Sequence, residues 1–206
     1  MSNLSLSEHH KLLVHQIHEV AEWVGFETRN KYQIQSETAQ PVAFAAEQQK
    51  GILGFLFRQF LGHWRSFEIQ VFTPERELAL RIRHPFRFWF QRLDVSDASG
   101  NHLGAIQQRF SVLHKRFEVQ DPRGALAMEV ASPLFRLWTF PFKKRGREVA
   151  RVQKKWGGLL TEGFTDRDTF LVEFIHAELI EQERQLVLAA ALFIDLVYFE
   201  NHANRG

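Results

Sequence analysis

The chain has 206 residues, of which 45% are hydrophobic and 24% are charged, and it contains twenty phenylalanines but no cysteine. This length suits one domain around one substantial core, because two domains would each be small. The lack of cysteine excludes disulfide bonds, thiolate metal sites and cysteine acylation. Residues 1–8 contain no basic region followed by an apolar run, so we expect no secretory signal and predict a cytoplasmic location or the cytosolic face of a membrane.

Charge is distributed unevenly along the chain. Lys and Arg number three against six Asp and Glu in residues 1–49, twenty against nine in residues 50–156, and three against nine in residues 157–206. The net charge of +11 in the middle favours an anionic partner, which could be phospholipid headgroups, phosphoinositide or nucleic acid. The alternative is that these charges lie on ordinary solvated strand faces.

The first predicted element is an amphipathic helix over residues 7–24, with Ser7 as its N-cap. Apolar residues recur there at helical spacing, at Leu13, Ile17, Val20 and Val24. After Gly25 the period changes to two, and Tyr32 and Ile34 alternate with glutamines. This alternation predicts that strands begin here.

Residues 51–62 form an apolar insert punctuated by glycine, with Arg58 as its only charge. We favour a loop folded onto the core. The alternative is a loop that dips into a membrane, because exposed apolar side chains beside a cation suit an interface.

A repeat in the middle of the chain indicates hairpins. Residues 92–97 and 116–121 each alternate apolar with polar residues after an arginine, and a glycine follows three residues later, Gly100 or Gly124. Further strand-like segments fit the same phase, namely residues 77–86, 102–110, 125–135 and 148–156. Serial strands with short turns predict an antiparallel meander, and its closure into a barrel removes exposed edges.

The C-terminal segment 186–199 is apolar on every helical face except at Asp195, which is one residue of fourteen. A helix of this length reaches only about 21 Å, short of the roughly 30 Å hydrocarbon core of a bilayer. A helix that is apolar all round needs apolar surroundings. We therefore predict one domain, residues 1–206, in which strands of residues 25–178 enclose a central helix over residues 179–201.

Several strings resemble the phospholipid scramblase family, in collinear order from about residue 11 to residue 201. They are GFETRNKY at 25–32, FAAE at 44–47, WGGLLTEGFTDRDTF at 156–170 and LFIDLVYFE at 192–200. The resemblance implies a tubby-like fold, in which a closed antiparallel barrel of twelve strands is threaded by a hydrophobic C-terminal helix. It also implies energy-independent movement of phospholipid in both directions between leaflets, activated by calcium in animal members.

Two departures from the family concern attachment to partners and membranes. The proline-rich N-terminal extension of the family is missing, so we expect no docking of partners through it. The cysteine cluster that carries palmitate in animal relatives corresponds to residues 86–92, FRFWFQR, which cannot be acylated. Membrane attachment would therefore be non-covalent, through aromatic and basic side chains such as Arg87, Trp89 and Arg92, or through the terminal helix.

The third departure concerns calcium. The resemblance places an acidic loop from Asp166 onward, and only Asp166 and Asp168 keep a carboxylate, because apolar residues occupy the next matching positions. Leu171 stands where such a loop wants glycine for its turn. Two hypotheses therefore remain for this incomplete motif. Either Asp166 and Asp168 bind calcium, or they form a polar turn.

The function classes follow from these features. No phosphate loop, nucleophile elbow or zinc pair is present, so we predict no bond-breaking enzyme. The first reading is a scramblase with Asp195 as a polar element, and the second is a soluble module that docks on anionic lipid without moving it. Nucleic-acid binding ranks last because no recognition motif is present, and the sequence does not predict an oligomeric state. The candidate lipid-binding residues are Arg81, Arg83, Arg87, Trp89, Arg92, Lys143, Lys144, Arg145 and Arg147.

Overall fold

Twelve strands follow one another along the chain in the computed structural model, which describes residues 4–17, 31–48, 66–85, 90–110, 114–133, 138–155 and 169–196. The strands are β1 (Lys11–Ile17), β2 (Lys31–Ser36), β3 (Pro41–Gln48), β4 (Phe67–Phe72), β5 (Leu78–His84), β6 (Arg92–Asp97), β7 (His102–Arg109), β8 (His114–Gln120), β9 (Leu126–Pro133), β10 (Thr139–Lys144), β11 (Arg147–Lys155) and β12 (Thr169–Phe174). Each strand pairs antiparallel with its neighbours in sequence, and β1 closes the barrel on β12. The predicted closed barrel of twelve antiparallel strands is confirmed.

The alternation of buried and more exposed side chains along the strands separates the core from the outer wall. In β5, Leu80 and Ile82 are buried inside the barrel, whereas Arg81 and Arg83 lie on the outside. Strand β4 repeats this pattern over all six of its residues. Because successive side chains of a strand point to opposite faces, a two-residue period produces one apolar face and one polar face.

The predicted repeat corresponds to two hairpins, β6–β7 and β8–β9. Asp97 accepts a hydrogen bond at Oδ1 from the backbone N–H of Asn101 at 2.9 Å, and Asp121 accepts two backbone N–H groups at 2.8 and 2.9 Å. Gly100 and Gly124 adopt φ of +87° and +81°. An aspartate that binds its own turn and a glycine at positive φ are what such turns require.

Helix α1 (Glu181–Ile194) fills the barrel. Residues 186–194 are 0–2% exposed, and α1 contacts β6, β7, β11 and β12. The predicted enclosure of the apolar C-terminal segment is therefore confirmed, although the helix begins at residue 181 instead of 179. Residues 197–201 lie outside the described part of the chain. Over the described ranges, no helix has the length and hydropathy that a membrane span requires.

Gly104 on β7 allows α1 to approach the wall. A Cβ atom at this position would lie 2.3 Å from the backbone oxygen of Gln120 and 2.9 Å from Cδ1 of Leu186. The backbone at Gly104 has a φ of +147°, a conformation that residues other than glycine rarely adopt. Glycine is therefore needed here for both conformation and space.

The predicted N-terminal helix is wrong over residues 11–17, which form β1, and residues 18–24 lie outside the described residues. Leu12 and Val14 are buried in the barrel, and β1 pairs with both β2 and β12. Without β1 the barrel would keep two open edges, whose unpaired backbone groups are unfavourable. The barrel therefore begins at residue 11, not at residue 25, because sheet closure outweighs local helical spacing.

The barrel has two different ends. We call one the turn end, because α1 begins there and the short turns 36–40, 73–77, 97–101, 120–125 and 144–147 lie there. We call the other the loop end, where α1 ends and the alternate connections leave the strands. The central residues of those connections, 18–30, 49–65, 86–89, 111–113, 134–137 and 156–168, fall outside the described residues.

The N-terminal residues 4–9 close the turn end over the start of α1. Arg184 donates hydrogen bonds to the carbonyl oxygens of Leu6 at 3.2 Å and His9 at 2.8 Å, and Gln185 donates to that of Leu4 at 2.9 Å. The guanidinium carbon of Arg184 also lies 4.6 Å from the ring centre of Phe174. The helix start is thus fixed by polar contacts, while the rest of the helix is held by apolar packing.

Candidate membrane-binding surfaces

Arg81 and Arg83 lie on the outer wall of β5, as their alternation predicts. Arg81 donates from Nη1 to the backbone oxygen of Ala98 at 3.3 Å. Arg83 lies 4.0 Å from Glu68 through Nε and Oε2, and its side chain is exposed. An ion pair at this distance on the surface contributes little to stability, so the contact with Glu68 holds Arg83 only weakly.

Arg92 at the start of β6 is more strongly engaged. Its Nε donates to Oδ1 of Asp94 at 2.8 Å, and its Nη1 donates to Oε1 of Gln120 on β8 at 3.1 Å. These contacts extend across β7 to the second neighbouring strand. A lipid phosphate would have to compete with them, so the structure gives Arg92 a role in holding three strands together.

The second basic group lies at the turn between β10 and β11. Lys144 forms two contacts with the carboxylate of Glu183, at 2.7 and 2.9 Å, which ties the turn to the first turn of α1. Arg147 pairs with Glu178 at 3.0 Å. Lys143 and Arg145 are exposed, and Arg145 adopts a φ of +51° in the turn.

The structure does not bring the two basic groups together. Strands β5 and β10 are separated by four strands on the route through β6–β9 and by six on the route through β1 and β12, so they lie on different sides of the wall. The group at β10–β11 lies at the turn end, whereas Arg92 lies at the loop end. A strand of seven residues extends about 23 Å along its axis. One flat membrane surface therefore cannot meet both groups at once.

Asp195 lies at the C-terminal end of α1 inside the barrel and is 2% exposed. The hydroxyl of Tyr32 on β2 donates to its Oδ2 at 2.7 Å. A carboxylate at a helix C-terminus is opposed by the helix dipole, so hydrogen bonds to it have to offset an unfavourable placement. This pair joins the helix to a strand that lies 163 residues away in sequence.

The remaining predicted site residues cannot be placed. Arg87, Trp89, Asp166 and Asp168 lie outside the described residues, as does the apolar insert 51–62. Among the side chains that the structure does describe, no group of three or more His, Asp or Glu could hold a metal ion. Calcium binding at Asp166 and Asp168 stays a prediction.

The structure adds exposed residues that sequence reasoning did not single out. Phe110, at the end of β7, is 74% exposed, and Arg109 and Arg116 face each other across β7 and β8. Phe90, just before β6, is 46% exposed. All four lie at the loop end. The signal that could have found them is the alternation of strand direction, which places every second connection at the same end of a meander.

Comparison with known proteins identifies relatives. A family model described as Scramblase matches residues 3–201. Phospholipid scramblase 1 of Homo sapiens is 26% identical over 211 residues, covering 95% of this chain and 65% of the human protein, and that of Mus musculus is 27% identical, covering 97% and 64%. A phospholipid scramblase family protein of Schizosaccharomyces pombe is 25% identical, covering 90% and 52%. The chain thus spans slightly less than two thirds of these mammalian relatives, and no solved structure matches it.

Proposed function

Because the chain belongs to the scramblase family, whose model matches residues 3–201, we propose that it binds phospholipid membranes and moves phospholipid between leaflets without ATP. The observation that carries the proposal is the extent of the match, which includes all twelve strands and the helix. The relatives are named phospholipid scramblases. We further propose that the protein acts at the cytosolic face of a membrane.

The enclosed helix constrains how lipid could be moved. Residues 186–194 fill the barrel, so the inner wall would lose its packing partners if the helix left for the bilayer. We therefore propose that the folded barrel stays closed and acts from its outer surface. A docked protein that disturbs the interface would lower the cost of carrying a polar headgroup through hydrocarbon. Asp195 does not contact headgroups in this arrangement.

The enclosure of the apolar helix also supports a second candidate function. A barrel that keeps its apolar helix inside has a polar outer wall along much of its circumference, as in β5. Such a molecule can bind anionic headgroups by charge without perturbing the hydrocarbon. In this reading the protein is a lipid-binding module that moves no phospholipid.

A reconstitution experiment separates the two functions. Purified protein is added to vesicles that carry a fluorescent phospholipid in both leaflets, and a membrane-impermeant reductant then bleaches the accessible lipid. Scrambling predicts bleaching beyond the outer-leaflet share, relative to vesicles without protein and vesicles with heat-denatured protein. Binding with no added bleaching would leave only the lipid-binding module. Absence of binding as well would refute the proposed function.

The same assay tests calcium. We propose that activity does not depend on calcium, because only Asp166 and Asp168 keep carboxylates in the motif and calcium usually takes about six to eight oxygen ligands. Equal bleaching rates with calcium and with a chelator are expected. A strict requirement for calcium, together with loss of the calcium-dependent bleaching in the double variant Asp166→Asn, Asp168→Asn, would contradict this and show that the loop still binds the ion.

A further inference from the structure

Residues 4–9, which we call the strap, lie across the turn end of the barrel before β1 begins. They adopt turn and irregular structure instead of a strand. Leu4 and Leu6 are buried, whereas Ser5 and Ser7 are exposed. This alternation is typical of an extended segment that lays one face on a surface. The strap is thus arranged like a bound peptide, although it belongs to the chain itself.

The two leucines of the strap supply its apolar contacts. Leu4 is 4% exposed and Leu6 is 0% exposed, and both belong to the same core cluster as Leu179 and Leu186. Burial of one leucine side chain contributes roughly tenfold or more to a binding constant. The pair of leucines, two residues apart, is therefore the part of the strap that this surface can distinguish from other sequences.

The first turns of α1 supply the polar contacts, and these go to the main chain of the strap. The backbone N–H of Leu6 donates to Oε1 of Glu181 at 2.7 Å. Arg184 donates to the carbonyl oxygens of residues 6 and 9, and Gln185 donates to that of residue 4. Domains that bind extended peptides use the same combination, in which main-chain hydrogen bonds give affinity and pockets for alternate side chains give specificity.

The donors of this site are held in place by contacts outside the strap. Arg184 and Gln185 are each 4% exposed. The guanidinium carbon of Arg184 lies 4.6 Å from the ring centre of Phe174, and its Nε donates to the carbonyl oxygen of Leu179 at 3.4 Å. Buried donors that lose their acceptors are unfavourable. The site is therefore most stable when an extended segment occupies it.

The strap could leave this site without disturbing the barrel. Its outer side is exposed, at Ser5, Ser7 and Glu8. Pairing of β1 with β2 and β12 begins only at residues 11 and 12. The chain is also fixed just before β1, because the backbone N–H of Phe174 donates to the carbonyl oxygen of His10 at 2.8 Å. Exchange of residues 4–8 for another segment would therefore keep these strand registers.

We infer that the start of α1 is a peptide-binding site, which the strap fills in cis and an extended segment of a separate protein, with leucines two residues apart, fills in trans. The strap competes with that segment, because a tethered segment has an effective concentration in the millimolar range. It is thus an autoinhibitory contact for the site. The inference concerns the turn end and does not depend on whether the protein moves phospholipid.

The first test measures peptide binding by fluorescence anisotropy. The probe is a labelled peptide of residues 3–9, NLSLSEH, and the control peptide carries serine in place of both leucines. The full-length variant Leu4→Ser, Leu6→Ser weakens the competing strap, and circular dichroism shows whether it is folded. We expect this variant to bind the probe about tenfold or more tighter than the unsubstituted protein does. It should bind the control peptide about tenfold or more weaker than the probe.

Equal affinity of the variant for the two peptides would overturn the inference, as would a folded variant that does not bind the probe. A further substitution tests the main-chain contacts. Arg184→Met in the background of this variant should weaken probe binding about fivefold or more, because it removes donors to the peptide carbonyls. Lys143→Gln in the same background is the matched control, since Lys143 is an exposed cation at the same end, and it should change binding by less than about twofold. Equal effects of the two substitutions would exclude recognition through Arg184 and contradict the inference.

A second measurement avoids substitution of the leucines. The chain has no cysteine, so Ser5→Cys places a single spin label on the exposed side of the strap. Unlabelled probe peptide at millimolar concentration should displace the strap and raise the mobility of the label, whereas the control peptide should not. Unchanged mobility with both peptides would show that the strap is not exchanged and would overturn the inference.

A second copy of this chain is the competing occupant of the site. Sedimentation velocity at micromolar concentration measures the oligomeric state of the unsubstituted protein and of the variant Leu4→Ser, Leu6→Ser. We expect both to be monomers. A dimer that this variant lacks would assign the site to exchange of straps between copies and would overturn the inference of a separate protein.

Discussion

Replacing Gly104 with alanine perturbs the contact between the wall of the barrel and its central helix. The new Cβ would lie 2.3 Å from the backbone oxygen of Gln120 and 2.9 and 3.3 Å from the two Cδ atoms of Leu186. Leu186 can move by rotation, but the Gln120 oxygen belongs to a paired strand and cannot move without disturbing the ladder. The backbone φ of +147° adds conformational strain.

The expected cost has two parts. Backbone strain of this kind costs about 1–3 kcal/mol, and overpacking of a filled interior costs about 1–3 kcal/mol more. We therefore expect Gly104→Ala to lower the free energy of unfolding by roughly 2–6 kcal/mol, a large share of the about 5–15 kcal/mol typical of a domain. Gly124→Ala is the matched control, because Gly124 has a φ of +81° but no atom within 4 Å of its added Cβ.

Equilibrium unfolding in urea, followed by far-UV circular dichroism, measures the difference. The control should lose only the conformational part, about 1–2 kcal/mol. The double variant Gly104→Ala, Leu186→Ala should lose less than the sum of its single variants, because removal of the leucine relieves one of the two overlaps. If Gly104→Ala is no more destabilised than Gly124→Ala, then α1 does not pack against β7 as described.

Three further perturbations test other parts of the fold. Tyr32→Phe removes the hydroxyl that donates to the buried Asp195, and we expect the free energy of unfolding in urea to fall by about 1.5–3 kcal/mol. A Tyr→Phe substitution at the chain's other tyrosine, which lies outside the described residues, serves as a spectroscopic reference. Arg184→Met leaves the carbonyl oxygens of residues 6 and 9 without this donor, so the turn end should open; amide hydrogen exchange of residues 4–10 should speed up at least tenfold, and unchanged protection would refute the role of the arginine. A hydrogen bond from the side chain of Asn101 lowers the pKa of Asp97 below its ordinary value of 3.8, so the stabilisation is present above that pH and is lost as the pH falls through the lower pKa of the folded state. Stability measured against pH should show that Asn101→Ala is destabilising near neutrality and that its deficit shrinks in acid, and a deficit independent of pH would contradict this assignment.

The central helix could be predicted because its signal is local. Residues 186–194 are apolar on every face, and a segment of that kind has to be enclosed by protein or by lipid. The hairpins were predictable for the same reason, since Asp97 with Gly100 and Asp121 with Gly124 form turns whose chemistry lies within a few residues. Barrel closure then followed from the number of serial strands.

The N-terminal strand could not be predicted from local pattern. Leu13 and Ile17 fit a helix, and Leu12 and Val14 fit a strand, so the sequence alone supports both. What decides between them is pairing with β12. One example is the 2.9 Å hydrogen bond between Nδ1 of His15 and the hydroxyl of Thr169, which lies 154 residues away in sequence. A contact at that sequence separation leaves no signal in the segment itself.

The arrangement of the basic residues was equally hidden. Lys144 is paired with Glu183, and Arg92 is bound to Gln120 on another strand, so residues that looked alike in sequence differ in how available they are. The division of the basic residues between the two ends of the barrel depends on topology, which composition does not contain. Only the direction of each strand shows which connections share an end.

The most direct test of the account asks whether lipid touches the central helix. Vesicles that contain a phospholipid with a photoactivatable acyl chain are irradiated with the protein bound, and the adducts are located by mass spectrometry. Trypsin cleavage after Arg184 and Arg205 isolates the helix in one peptide, residues 185–205. We predict that residues 186–194 carry no adducts while other parts of the bound protein do. Adducts within residues 186–194 would show that the helix leaves the barrel for the bilayer, and would contradict the account.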